Sequence, residues 1–289
     1  MLRRYRSGIP ALLVTGVYAV GVVVAGVVAL TTGAPGLLWR LTLFVEADDG
    51  ITATSPNVLV PVLTGMAWAW ALWVSLRGPL AGPRPELDRD TGRLRVALYV
   101  VAALSLLVPL LPSWPWWATV VNVLIGGMLV VLFPPVLGRN LEHAGFAWAA
   151  GVLGYGGLAV VEVLDAIGWS APDWLSLTCA LAAWVWMVLV LRAQRWDGRW
   201  RRATVRYGIA GMVAPVVAML VNGMLASVEE VLLYATGATG ALMVIWAARS
   251  GHELADPRPQ PAPPEPLPSG PLPSGPLPSG PLPSGPPAP

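Results

Sequence analysis

The chain has 289 residues, 55% of them hydrophobic and 12% charged, with a mean hydropathy of +0.64 and a formal net charge of +2. A soluble domain carries about twice that charged fraction, and helices apolar all round cannot be hidden from water, so lipid is the expected solvent. The small net charge gives no footing for nucleic-acid binding, and all 18 basic residues are arginines, which excludes a retinal-type Schiff base on lysine.

Long Val-, Leu-, Ala- and Gly-rich runs without period-two alternation predict transmembrane helices rather than an outer-membrane barrel. The basic start MLRRYR precedes a first span near Ile9–Thr32. That run is too long for a signal-peptide core and no A-x-A site follows it, so it is expected to remain as a helix. A predicted outer loop, near Gly33–Asn57, carries Glu46, Asp48 and Asp49 and leads to a second span near Val58–Leu76. The third and fourth spans are expected near Leu94–Leu111 and Trp117–Leu137, the fifth and sixth near Phe146–Gly168 and Trp174–Leu191. The last two lie near Thr204–Leu225 and Glu229–Ala248. Each of the eight is long enough to cross about 30 Å of hydrocarbon at about 1.5 Å per residue. From about Glu253 the composition changes, and PLPSG repeats four times between Pro266 and Gly285. Proline at this density prevents helix and sheet, so a disordered or polyproline-II tail is expected.

Arginine sets the direction. With the N-terminus inside, every arginine except Arg40 falls on the cytoplasmic side, a positive-inside pattern that requires an even number of spans. Trp114, Trp116, Trp117, Trp169 and Trp174 collect at the opposite boundary, as an aromatic belt does. The expected location is an inner or plasma membrane crossed several times, with both termini cytoplasmic. The lysine-free, Arg/Ala/Val/Gly/Trp-rich composition fits a GC-rich bacterial coding sequence.

One phrase occurs twice. GRLR at Gly92 and GRWR at Gly198 are each followed by thirteen residues and then proline, Pro109 and Pro215, at an offset of 106 residues (198 − 92). Neighbouring spans match as well: LTGMAWAWALWVSLR from Leu63 resembles LTCALAAWVWMVLVLR from Leu177. The offset shrinks along the chain only where loops differ in length, as true repeats require. The expected architecture is therefore an all-α membrane protein of two parallel four-helix repeats, residues 1–140 and 141–252, followed by a tail over 253–289. Pro109 and Pro215 would each free a carbonyl near mid-membrane and act as kinks.

Ionisable groups within hydrocarbon are the best pointers to chemistry. Glu162 and Asp165 stand three residues apart in the fifth span and share a helical face. Glu229 and Glu230 open the eighth span on the same side, with Asn122 and Asn222 near that level. For Glu229 the helix dipole is a sufficient explanation, and Glu46, Asp48 and Asp49 read as solvated surface charge. Together they make an acidic outer mouth that would attract a cation, an amine or a proton. No cofactor or metal is expected: the histidines, His143 and His252, lie in predicted cytoplasmic segments, and no Cys/His spacing suggests zinc. The single cysteine, Cys179, reads as a small buried apolar side chain. The leading expectation is a small transporter or permease-like protein surrounded by membrane lipid. An intramembrane enzyme acting on a lipid or isoprenoid and a membrane sensor or scaffold with a partner-recruiting tail remain open beside it.

Overall fold

The computed structural model describes residues 5–45, 53–82, 86–107, 116–141, 143–225 and 236–256. Every regular element among them is helical: α1 (Gly8–Thr32), α2 (Gly36–Thr42), α3 (Ser55–Leu76), α4 (Arg89–Leu107), α5 (Trp116–Leu137), α6 (Ala144–Gly151), α7 (Gly157–Ala166), α8 (Asp173–Asp197), α9 (Arg202–Leu225) and α10 (Gly240–Leu254). A π-turn over Val152–Gly156 joins α6 to α7, so the two form one rod. Among the described residues six helices are long and apolar enough to cross a bilayer: α1, α3, α5, the α6–α7 rod, α8 and α9. The predicted third span falls on α4, whose charged first turns lower its apolar content, and Pro109 lies outside the described residues. The predicted eighth span is described only from residue 236, and Glu229 and Glu230 fall before that point. At the other end α10 runs on through Glu253 to Leu254, so residues first assigned to the tail continue the helix. The PLPSG repeats lie outside the described residues.

The helices stop where the sequence supplies glycine. Gly33, Gly168 and Gly198 close α1, α7 and α8 with φ of +77°, +80° and +75°, a left-handed conformation that glycine adopts without a steric penalty. Their flanks are inverted relative to a soluble protein. On α1 the valines at 17 and 20 and Leu13 are more than half exposed, while Val22, Ala25, Gly26 and Ala29 are buried against α3. Large apolar side chains facing out and small ones facing in is the arrangement of helices packed in lipid.

Glycine sets how closely these helices approach. A Cβ on Gly154 would strike the backbone of Ala183, one on Gly157 the sulfur of Cys179, and one on Gly208 the side chains of Leu191 and Trp246. Cys179 is thus a buried packing residue. The centre is aromatic: Phe133 stacks on Trp246 at 6.1 Å between centroids and meets Trp186 edge-on at 6.1 Å. The buried Trp246 indole N–H donates to Gln194 Oε1 at 3.0 Å, which satisfies a polar group that burial would otherwise penalise.

The packing order bears on the two halves. Within the first, α1 pairs with α3 and α4 with α5; within the second, the α6–α7 rod pairs with α8 and α9 with α10. Across the halves the likeness breaks. α10 packs against both α3 and α4, whereas among the described residues α5 touches α8 and makes no contact with α9.

The predicted outer loop holds a helix. α2 turns back beside α1 and α3 instead of crossing, and Leu38, Trp39 and Thr42 are buried. Three contacts give its depth. Leu41 C=O accepts the Tyr18 hydroxyl at 2.8 Å, and Tyr18 lies 14 residues (32 − 18), about 21 Å, back from the end of α1. A Cβ on Gly65, ten residues or about 15 Å into α3, would sit 2.6 Å from the Thr42 methyl. The Phe44 ring meets Trp68 edge-on at 5.5 Å, deeper still. α2 thus runs back alongside α1 and α3, a re-entrant course that ends near the middle of their length. Phe44, at its tip, has φ +60°, a conformation costly for an aromatic residue that the surrounding packing must hold.

Candidate functional site

Most charged residues among those described gather at one end, the end at which α1 and α4 begin and α3 and α10 finish. Five pieces of chain meet there: the segment before α1, the loop after α3, the first turns of α4, the start of α9 and the end of α10. The last carbonyls of a helix lack intrahelical donors and must find them elsewhere. After α3, the Ser7 N–H bonds Arg77 C=O and the Arg6 N–H bonds Pro79 C=O, both at 3.2 Å. Tyr5 pairs with Leu80 in an isolated antiparallel bridge.

The Val74 carbonyl, one turn inside α3, lies 2.9 Å from Nε2 of His252 on α10. A carbonyl only accepts, so Nε2 carries the hydrogen. Nδ1 is then the acceptor, and the Tyr99 hydroxyl on α4 donates to it at 2.9 Å. Gly251 makes room for this, since a Cβ there would stand 2.8 Å from the Tyr99 ring. Arg95 lies over the outer face of Tyr99, 5.4 Å from its centroid. Burial pushes the His252 pKa down to about 4; Arg77 and Arg95 act in the same direction, while the Val74 bond and Asp256 oppose them. His252 is neutral at pH 7 and fixed as one tautomer. It lies in a predicted cytoplasmic segment and is buried, 5% exposed, between α3 and α4.

The next residue, Glu253, joins α10 to α9. Its Oε1 accepts the Thr204 hydroxyl at 2.6 Å and the Arg249 guanidinium at 3.2 Å, and its Oε2 accepts the Arg201 backbone N–H at 2.8 Å. Thr204 in turn accepts Arg249 Nε at 2.9 Å, so hydroxyl, carboxylate and guanidinium close a ring. A carboxylate at the N-terminus of α9 also meets the positive end of its dipole. Asp256 accepts the Leu80 N–H at 2.8 Å and pairs with Arg201 at 3.4 Å. Arg77 donates to the Tyr5 hydroxyl at 3.0 Å and lies over its ring; burial lowers its pKa. Between these groups lies a cavity of about 80 Å³, with room for several waters, bounded by Tyr5, Arg77, Arg201, Arg249, His252 and Asp256.

The duplicated phrase does two different jobs here. In the first copy Arg93 pairs with Asp90 on its own helix at 3.9 Å and Arg95 stacks on Tyr99. In the second, Arg199 binds both oxygens of Asp197 and the Val136 carbonyl, tying the α8–α9 turn to the end of α5, while Arg201 reaches Asp256.

The predicted acidic residues lie elsewhere. Glu162 is half-buried on α7 and Asp165 is exposed, its Oδ1 accepting the Ala171 N–H at 3.3 Å in the turn beyond the helix. Asn122 is exposed on α5; Asn222 belongs to α9, its side chain outside the described residues. α9 continues as a helix through Pro215, which is exposed. Among the described residues no group of His, Cys, Asp and Glu is arranged to hold a metal ion. Comparison with known protein families, curated proteins and solved structures gives no match. The chemistry must therefore be read from this geometry alone.

Proposed function

We propose that the chain is a small transporter of eight spans, built as two four-helix halves, with the arginine-rich end in the cytoplasm and an acidic mouth outside. Its cargo is a cation, an amine or a proton drawn to Glu162 and Asp165. The observation that carries this reading is α2. Irregular or non-spanning backbone at membrane depth is tolerated where it is buried in protein or lines a water-filled cavity, and such elements belong to transport pathways. α2 ends near mid-depth with Phe44 and Val45 half-exposed at its tip. The polar network supports the same reading from the other end. His252 and Glu253 on α10, and Asp256 just beyond it, bond to groups on or beside α3, α4 and α9 and so tie the cytoplasmic ends of these helices together. Like pairings within each half support the repeat, and the cross-half contacts mark where the two copies diverged.

Reconstitution in proteoliposomes tests the proposal, with proton, monovalent cation and methylammonium flux as readouts. Wild-type protein should carry at least one of these, and Glu162→Gln with Asp165→Asn should abolish that flux. Flux unchanged by both substitutions would overturn the assignment of the mouth.

A further inference from the structure

Independently of any transported cargo, we propose that the polar cavity at the arginine-rich end binds a small inorganic oxyanion of the phosphate or sulfate kind, held by Arg77, Tyr5 and Arg249. The cavity measures about 80 Å³, and seven of its nine lining residues carry polar side chains. Three separate pieces of chain converge on it: Tyr5 precedes α1, Arg77 caps α3, and Arg249 stands near the end of α10. Its wall holds Arg77, Arg201 and Arg249 against two acids, Glu253 and Asp256. His252 is neutral there, with both ring nitrogens engaged.

The balance of charge and of hydrogen bonds selects an anion. Arg249 pairs with Glu253 at 3.2 Å and Arg201 with Asp256 at 3.4 Å. Arg77 is the third cation, and among the described residues it makes no ion pair. Its Nη1 donates to the Tyr5 hydroxyl, and its Nε is buried without an acceptor. The acceptors of the wall are engaged already: Glu253 takes the Thr204 hydroxyl, Arg249 and the Arg201 N–H, and Asp256 takes the Leu80 N–H and Arg201. Donors are left over. Arg249 uses Nε and Nη2, which leaves Nη1, and the Tyr5 hydroxyl accepts from Arg77 while keeping its own proton to give. Water could accept those hydrogens but would leave the charge uncompensated, whereas an oxyanion answers both, and a guanidinium fork fits its oxygens. The Tyr5 ring lies 4.6 Å from the Arg77 guanidinium and holds its plane. At about 30 Å³ per water the cavity has room for a single ion, and its polar lining gives no path for an acyl chain. Arg201, 55% exposed, is the side of the cavity that meets water.

Equilibrium dialysis of the full chain in detergent at pH 7 against radiolabelled sulfate tests this. Wild type should bind one sulfate per chain, saturably, and inorganic phosphate should displace it. Arg77→Gln should weaken binding about tenfold or more, because a charged donor is lost. Arg89→Gln with Arg93→Gln, on α4 and outside the cavity wall, should leave it unchanged. Asp256→Asn removes a negative charge from the wall and should tighten binding roughly two- to fivefold, a gain that decides the matter even where Arg77→Gln does not fold. No saturable binding by wild type, unaltered affinity in folded Arg77→Gln, weaker binding in Asp256→Asn, or displacement by phosphatidylglycerol in place of inorganic phosphate would each overturn the proposal.

Discussion

His252 makes folding stability depend on pH in a way the structure specifies. Its imidazole binds a proton near pH 6.5 when the chain is unfolded and near pH 4 in the folded protein, where burial beside Arg77 and Arg95 disfavours the charge. Between those limits the unfolded state holds more protons, so stability rises with pH across the window and is lost on acidification through it. The full shift corresponds to about 3 kcal/mol, reached once pH falls to about 4. Burial gives the main reason: protonation would place a charge in a site shielded from water and already facing the Arg77 and Arg95 guanidiniums. His252→Gln retains an amide N–H for Val74 and does not titrate. Thermal unfolding in detergent, followed by circular dichroism from pH 7.5 to pH 4, should show wild type losing stability faster than the variant below pH 6.5. Parallel curves for the two proteins would refute the reasoning, because Glu253, Asp256 and the remaining acids are common to both.

Three further outcomes follow from the packing. Gly154→Ala places a methyl against the backbone of Ala183, which has no rotamer to yield, and should cost about 1–3 kcal/mol, read as a lowered melting temperature. Gly16→Ala on α1, where a Cβ meets nothing within 4 Å, should be neutral in the same assay. Thr204→Val deletes the hydroxyl between Arg249 and Glu253 at a fully buried position and should cost about 1–3 kcal/mol; an unchanged melting temperature would count against the ring.

The sequence disclosed the helices and concealed the site, for reasons that can be traced to particular residues. Apolar runs placed α1, α3, α5 and α9 to within three residues, because length in hydrocarbon is a local property of the sequence. α8 and α10 each run six residues further than expected at the charged end, since arginine, glutamine and glutamate are good helix formers once lipid stops deciding. That is why Glu253 and Asp256 fall in the predicted tail and His252 in a predicted cytoplasmic segment. Arg249 and Glu253 stand four residues apart, but Thr204 is 45 residues from Arg249, and Tyr99 and Val74 are 153 and 178 residues from His252 in sequence. α2 was concealed differently. Seven residues containing Arg40 and followed by acids look like a solvated loop, and only Tyr18, Gly65 and Trp68 reveal that it enters the apolar layer.

A transport pathway through α2 requires that water reach its tip from the outer face. Cys179, the one native thiol, is buried, so replacing it with alanine leaves a silent background for single cysteines. Val45→Cys, in intact cells or sealed vesicles of known sidedness, should react with a small membrane-impermeant thiol reagent from the outside. Val17→Cys, 75% exposed on the lipid face of α1, should not react at all. A cysteine at residue 45 as inert as the one at residue 17, or modified only from the cytoplasmic side, would contradict the re-entrant pathway and the transporter reading built on it.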